Sequence, residues 1–262
     1  QVACARDQCA HRGAALSLGK VIGARVQCPF HGMEYDGTGR CQLIPANGKN
    51  TPVPEPFRVL SYPLREAHGF IWLWWGEPRE EYPPLPFFED IDDTFSHGTF
   101  RDHWNVHYSR AIENQLDEMH LPFVHRTTIG RGGRMLVDGP RAVGRGDELA
   151  VWVHNRLDDG TRPLRPEEVA KANEVGLLHF RFPNIWQNRI SDDVRIVACF
   201  APIDAENTRM YIRFYHRITR VPVLRDLVSL MGRIGNRVIA RQDKRVVITQ
   251  QPKASSLRIG EK

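Results

Sequence analysis

Cys9-Ala10-His11-Arg12-Gly13, followed further on by Cys28-Pro29-Phe30-His31-Gly32, is the text on which the reading of this 262-residue chain turns. Each cysteine–histidine pair is short enough to sit on one loop tip, and two tight loops can close around one metal centre. Gly13, Pro29 and Gly32 supply the turns by which backbone N–H groups approach sulfurs. Two thiolates and two imidazoles suit zinc, or a two-iron cluster in which histidines replace the cysteines on one iron. The loop chemistry favours the cluster. Cys4, Cys41 and Cys199 lack such partners and read as ordinary buried small residues. Five cysteines, an odd number with two of them in metal-binding spacings, point to a reducing, cytoplasmic setting rather than to disulfides.

Around these loops, residues 1–76 form short β-type runs separated by glycine- and proline-bearing turns, which predicts a small all-β module. Within it, Gly69-Phe70-Ile71-Trp72-Leu73-Trp74-Trp75 reads as a buried strand. The proline-rich stretch Pro78 to Pro86 and the acidic Glu89-Asp90-Ile91-Asp92-Asp93 mark a boundary near residue 86, giving domains 1–86 and 87–262. The text begins inside a strand-like run, Gln1 to Ala5, so the native N-terminus is expected to lie further upstream. With 36 basic and 31 acidic residues scattered along the chain, the net charge of +5 gives nucleic-acid binding little support. No run approaches the ~18–20 apolar residues that a membrane span needs.

The second constellation is Glu113-Asn114-Gln115-Leu116-Asp117-Glu118-Met119-His120-Leu121-Pro122-Phe123-Val124-His125, on a helix expected over Tyr108 to Phe123. Asp117 and His120 would be neighbours on one helical face. His125 would lie about 140° from His120 on an ideal helix, and a kink at Pro122 is expected to swing it back. Asp243 lies on an apolar stripe with Ile239, Val246 and Val247, where a carboxylate needs a partner, either a metal or an arginine such as Arg241 or Arg245. The segment Val223 to Gln250 is helical by pattern, broken near Gly232 to Gly235 and stopped by Pro252. Strand-like segments at Glu148–Asn155, Leu177–Phe182, Val194–Phe200 and Arg209–Tyr215 complete an α+β pattern. His103 and His107 share a metal-like spacing but read as structural. Gly130-Arg131-Gly132-Gly133 is a bare turn, not a dinucleotide fingerprint.

The segment from Cys9 through Tyr35-Asp36 closely resembles the Rieske domain of ring-hydroxylating oxygenases. Asn114-x-x-Asp117-x-x-His120-x4-His125 is similar to the catalytic-domain motif of the same family, and Gln242-Asp243-Lys244 before Gln250-Gln251-Pro252 resembles its C-terminal carboxylate segment. The resemblance implies the terminal oxygenase (alpha) component of a Rieske non-haem iron system: an all-β Rieske domain followed by a helix-grip domain, a curved antiparallel sheet with helices. It implies that Cys9, His11, Cys28 and His31 hold a [2Fe-2S] cluster and that His120, His125 and Asp243 hold a mononuclear Fe(II). Asp117 and Asn114 become catalytic candidates, with Asp117 joining His120 to His31 of the next subunit in a head-to-tail homotrimer. A separate NAD(P)H-dependent reductase or ferredoxin would supply two electrons. O2 would then hydroxylate, dihydroxylate or oxidatively demethylate a small, aromatic or cyclic substrate.

The two residues between Asn114 and Asp117 lean towards the demethylase and monooxygenase branch. From Arg126 to Arg241 the resemblance fades, and Asn184, Trp186 and Asn188 are candidates to line the pocket. Two other readings stay in view. An electron-transfer Rieske protein would need little beyond Gly76, and a zinc-binding module would leave His120, His125 and Asp243 without a joint role.

Overall fold

Among the described residues, eight short strands and two single-turn helices make up the first of the two units into which the chain divides, Gln1–Leu85 and Pro86–Lys262. The computed structural model describes residues 2–169 and 177–255. In the first unit, β2 (Lys20–Ile22), β3 (Arg25–Gln27), β4 (Glu34–Asp36) and β5 (Cys41–Leu43) form an antiparallel meander. The strand β1 (Cys4–Ala5) pairs with β6 (Ser61–Tyr62), and β7 (Leu64–Ala67) with β8 (Phe70–Leu73). Leu16, Met33, Tyr35, Cys41, Ile44 and Val59 pack with Cys9 and Cys28 into one small core. Gly39 is obligatory in it: at φ +81° its Cβ would lie 2.2 Å from the Val59 carbonyl oxygen.

Two expectations for this unit need correction. The tryptophan-rich run is not buried: Phe70 and Trp72 are half-buried while Ile71 and Leu73 are exposed, because β8 pairs with β7 alone and the hairpin covers one face. Trp75 lies beyond the strand, 78% exposed and stacked on Tyr62. Among the three cysteines outside the paired motifs, Cys41 is buried, but Cys4 and, in the second unit, Cys199 are half-buried.

The second unit opens with β9 (Ser96–Trp104), α1 (Tyr108–Leu116) and α2 (Leu121–Val124). The strands β10 (Leu136–Arg145), β11 (Glu148–Arg156), β12 (Leu178–Arg181), β13 (Ile185–Ser191), β14 (Val194–Pro202) and β15 (Thr208–His216) follow, then α3 (Pro222–Val247). The seven strands form one antiparallel sheet in the order β10-β11-β12-β13-β14-β15-β9. Alternation sorts its faces: Leu178, Phe180, Trp186, Ala198, Phe200, Met210 and Ile212 point to one side, where Ala111 of α1 and Ala240 and Val247 of α3 join them in the core. This is the expected α+β fold. On the other face, Arg195 and Gln187 are buried and both bond Asp90, at 2.8 and 2.9 Å.

The helix α3 runs unbroken through Gly232 and Gly235, contrary to expectation. Glycine lowers helix propensity by about 1 kcal/mol, which tertiary packing overrides. At Gly232 the reason is contact: a Cβ there would lie 2.1 Å from the Phe214 ring, and one at Gly98 would lie 2.2 Å from the Ser229 carbonyl oxygen. These glycines let α3 lie close against β15 and β9. No described helix is long and apolar enough to cross a membrane.

Candidate metal centres

The two cysteine–histidine loops are built alike. Cys9 N–H donates to the Ala14 carbonyl (2.8 Å) and Gly13 N–H returns to the Cys9 carbonyl (2.9 Å); Cys28 N–H donates to the Met33 carbonyl (2.8 Å) and Gly32 N–H to the Cys28 carbonyl (3.1 Å). Both glycines need positive φ, +71° and +74°. Each turn buries its cysteine and exposes its histidine, and the rings of His11 and His31 lie 4.8 Å apart. Cys9 Sγ lies 3.1 Å from the Tyr35 hydroxyl. Burial raises the Cys9 thiol, but the Tyr35 hydroxyl and the His11 and Arg12 backbone N–H groups outweigh it and hold the thiol below its ordinary value. Two buried sulfurs ringed by donors, with two exposed imidazoles together, fit a cluster with one thiolate-held and one histidine-held iron.

In the second unit, His120 Nε2 and His125 Nε2 lie 3.3 and 2.8 Å from Asp243 Oδ1. Local structure brings this about differently from the expected kink. The helix α1 stops at Leu116, and Asp117 is extended, its Oδ1 accepting from Met119 N–H at 2.8 Å in a local turn that competes with the helix. Pro122 falls in the first turn of α2, where its missing N–H costs nothing, so it starts a helix instead of kinking one. The two histidines flank α2, with ring centroids 5.2 Å apart. Gly130 closes the turn beyond: a Cβ would lie 1.9 Å from the Leu121 carbonyl oxygen. Asp243 comes from α3, which Lys244 ties to Asp102 of β9 at 3.4 Å. Arg241 and Arg245, the alternative partners, are exposed, and Asp243 faces the two histidines instead.

The three atoms are arranged as a metal site would need them. Asp243 is 3% exposed, yet its Oδ1 has no well-aligned hydrogen bond among the described residues. Each imidazole is already engaged at Nδ1: His120 with Asp117 Oδ2 (3.2 Å) and His125 with Gln242 Oε1 (2.8 Å). Both Nε2 atoms are thereby turned towards one carboxylate oxygen, the orphaned, convergent arrangement that suits two histidines and one carboxylate around Fe(II) with open positions left over. Burial pulls His120 down, but Asp117 and Asp243 outweigh it and hold it at about 9. Burial pushes Asp243 up, but the two imidazoles keep it below the usual carboxylate range. Glu118, the next residue to Asp117, is pushed up to about 7 by burial.

The remaining expected residues fall as follows. Asn114, on α1, keeps a buried Nδ2 without a hydrogen-bond partner among the described residues, as do Trp186 Nε1 and Asn188 Oδ1 on β13. Asn184 is spent on the Phe200 carbonyl (3.0 Å). His103 bonds Asn207 at 3.0 Å, and His107 caps α1 through Ser109 N–H, so neither joins the cluster. Sequence reasoning missed three supports: Gln242, Thr128, whose hydroxyl also donates to Gln242 Oε1 (2.8 Å), and Asn155, whose Nδ2 holds the Glu118 carbonyl (2.9 Å). The adjacency of Gln242 to Asp243 was the available signal for the first.

Comparison with known proteins agrees with this geometry. Residues 1–63 match the Rieske [2Fe-2S] domain, and residues 104–261 match the vanillate O-demethylase oxygenase C-terminal domain. The chain is 37% identical over 263 residues to methylxanthine N1-demethylase NdmA of Pseudomonas putida, covering 95% of this chain and 69% of that protein. It is 40% identical over 134 residues to the chloroplastic chlorophyllide a oxygenase of Chlamydomonas reinhardtii, where it covers 50% of this chain and spans 20% of the longer protein. The structure of NdmA superposes with a TM-score of 0.73 at 23% identity, covering 97% of this chain and 71% of that one. Dicamba monooxygenase bound to dicamba gives 0.73 at 19%, covering 93% and 75%. By sequence over most of its length and by fold, the chain belongs to the Rieske non-haem iron oxygenases, in the demethylase-like branch that carries the vanillate O-demethylase C-terminal domain.

Proposed function

We propose that the chain is the oxygenase component of a two-part system, taking electrons from a separate NAD(P)H-dependent reductase or ferredoxin and using O2 to hydroxylate or oxidatively demethylate a small cyclic substrate. The observation that carries this reading is the convergence of His120 Nε2 and His125 Nε2 on Asp243 Oδ1 while both Nδ1 atoms are held elsewhere. Cys9, His11, Cys28 and His31 hold the [2Fe-2S] cluster, and His120, His125 and Asp243 hold the mononuclear Fe(II). When bound, the cluster supplies electrons singly and the ferrous ion supplies the site of O2 activation.

The protein's own groups then have defined tasks. Asp117 fixes the His120 ring through Nδ1, and its side chain, 36% exposed, is available to a neighbour's His31 in a head-to-tail homotrimer. Asn114, Trp186 and Asn188 stay candidates to line the pocket, since each keeps a buried polar atom without a hydrogen-bond partner among the described residues. The N1-demethylase among the relatives favours demethylation over cis-dihydroxylation; aromatic-compound metabolism and a cytoplasmic location are part of the same proposal. For an N-methyl substrate, the N–CH3 group, one O2, two electrons and two protons give an N–CH2OH group and one water. The hydroxymethyl product then breaks its N–C bond, releasing formaldehyde and leaving an N–H group on the ring.

The test is oxygen uptake and formaldehyde release by purified, iron-replete protein with a reductase, NADH or NADPH, and a panel of N-methyl and O-methyl heterocycles and arenes. Substrate-dependent O2 consumption matched by formaldehyde supports the reading. Electron flow that reduces the cluster but consumes no O2 with any substrate points instead to an electron-transfer protein.

A further inference from the structure

His125 is oriented by a neutral amide where His120 is oriented by a carboxylate, and the difference has chemical content. Gln242 follows Arg241 on α3 and precedes Asp243, so the helix turns it about 100° away from its neighbour. It points to the turn after α2. There, its Oε1 receives His125 Nδ1 (2.8 Å) and the Thr128 hydroxyl (2.8 Å), and its Nε2 donates to the Thr127 hydroxyl (3.4 Å). An amide oxygen can accept but cannot donate. Bonded to it, His125 must carry its proton at Nδ1, leaving the Nε2 lone pair facing Asp243. A lone pair 2.8 Å from a carboxylate oxygen is repelled unless a cation lies against both, so that tautomer is the one a loaded centre needs. Reversed, the amide would donate to Nδ1, the proton would move to Nε2, and Asp243 would accept it in the space a metal needs.

We propose that Gln242, supported by Thr128, is the positioning residue that selects the metal-binding tautomer of His125 and so sets the affinity of the centre for a divalent cation. The inference rests on the reading of His120, His125 and Asp243 as the iron ligands and deepens it. Asp117 does the same for His120 with a charge; Gln242 does it without one, so His125 is oriented without adding a further carboxylate charge to those of Asp117 and Asp243. A carboxylate at 242 would orient His125 equally well but add one negative charge to the loaded centre. An aliphatic side chain would orient nothing, and the ring could take either tautomer or turn.

The experiment is Co(II) titration of chelator-stripped protein, followed by proton NMR of the Co(II)-loaded form, in which ligand-histidine N–H protons appear as strongly shifted, exchangeable signals. The parent protein is expected to show two such signals, from His120 and His125. Gln242→Leu is expected to bind Co(II) about 10–100-fold more weakly and to lose one of them to solvent exchange, whereas Gln242→Glu keeps both signals and near-parental affinity. Thr128→Val, a change outside the ligand helix, is expected to speed exchange of the same proton, and it carries the test if the leucine variant does not fold. Parental affinity with both signals retained in Gln242→Leu, or unchanged exchange in Thr128→Val, overturns the role of Gln242 and leaves the metal centre standing. A parent protein that takes up no Co(II) sinks the centre itself.

Discussion

Metal uptake by chelator-stripped protein is expected to release close to one proton at neutral pH and to tighten as pH rises. The cause is His120, held at about 9 against an ordinary 6.5 by Asp117 and Asp243 despite its burial. A raised folded-state value stabilises the metal-free fold fully below about pH 6.5, and that contribution is lost as pH rises through about 9. Between those values, at about 1.4 kcal/mol per pH unit, it is on the order of 3 kcal/mol. The cation binds the neutral ring, so at pH 7 it must displace the proton, and apparent affinity should rise about tenfold per pH unit from 7 to near 9, then level off. Calorimetric Co(II) titration in buffers of differing ionisation enthalpy counts the proton directly, and repeating it across pH gives the slope. Asp117→Asn removes one of the carboxylates that hold the proton, so the rise should level off at lower pH. Proton release near zero at pH 7, with affinity flat from pH 7 to 8.5, would refute the reasoning.

Other outcomes follow from the packing and the cluster loops. Tyr35→Phe deletes the hydroxyl 3.1 Å from Cys9 Sγ. A donor to sulfur favours the more negative, reduced cluster, so its loss should lower the reduction potential; a differential of about 1 kcal/mol corresponds to roughly 40 mV for one electron, readable by redox titration. Gly232→Ala should destabilise the second unit by about 1–3 kcal/mol through the clash with Phe214, whereas Gly235→Ala, where an added Cβ meets nothing within 4 Å, should stabilise it by about 0.5–1 kcal/mol. Denaturant midpoints of the two variants, moving in opposite directions, check this pair.

The parts of the molecule legible in the sequence were those encoded by short spacing. Cys9 with His11, and Cys28 with His31, sit on turns whose geometry a few residues determine. For Asp243 the apolar stripe said only that the acid needs a partner, and it left an arginine open; Val246 of that stripe is in fact exposed, and it was the resemblance of Gln242-Asp243-Lys244 that pointed to the histidines the structure brings beside it. The route that brings His120 and His125 together was misread: Pro122 drew attention as a helix breaker, while the decisive residue was Asp117, whose side chain bonds Met119 N–H and ends α1 early. Gly232 and Gly235 suggested a break because composition cannot reveal Phe214 packing against the helix from β15. Hydrophobicity suggested burial for Ile71, Leu73 and Trp75, but burial depends on how many strands flank β8, a property of pairing that a run of seven residues does not carry. Gln242 and Thr128 meet across 114 positions of sequence, beyond any local pattern.

The central claim, one chain with two separate iron sites, is tested most directly by iron, acid-labile sulfide and zinc analysis of anaerobically purified protein beside its His125→Ala variant, with visible spectra before and after dithionite. The account predicts a red-brown protein that bleaches on reduction, with roughly three irons and two sulfides per chain, falling to roughly two irons with both sulfides kept in the variant. Zinc without sulfide, or an iron content that the variant leaves unchanged, would contradict it.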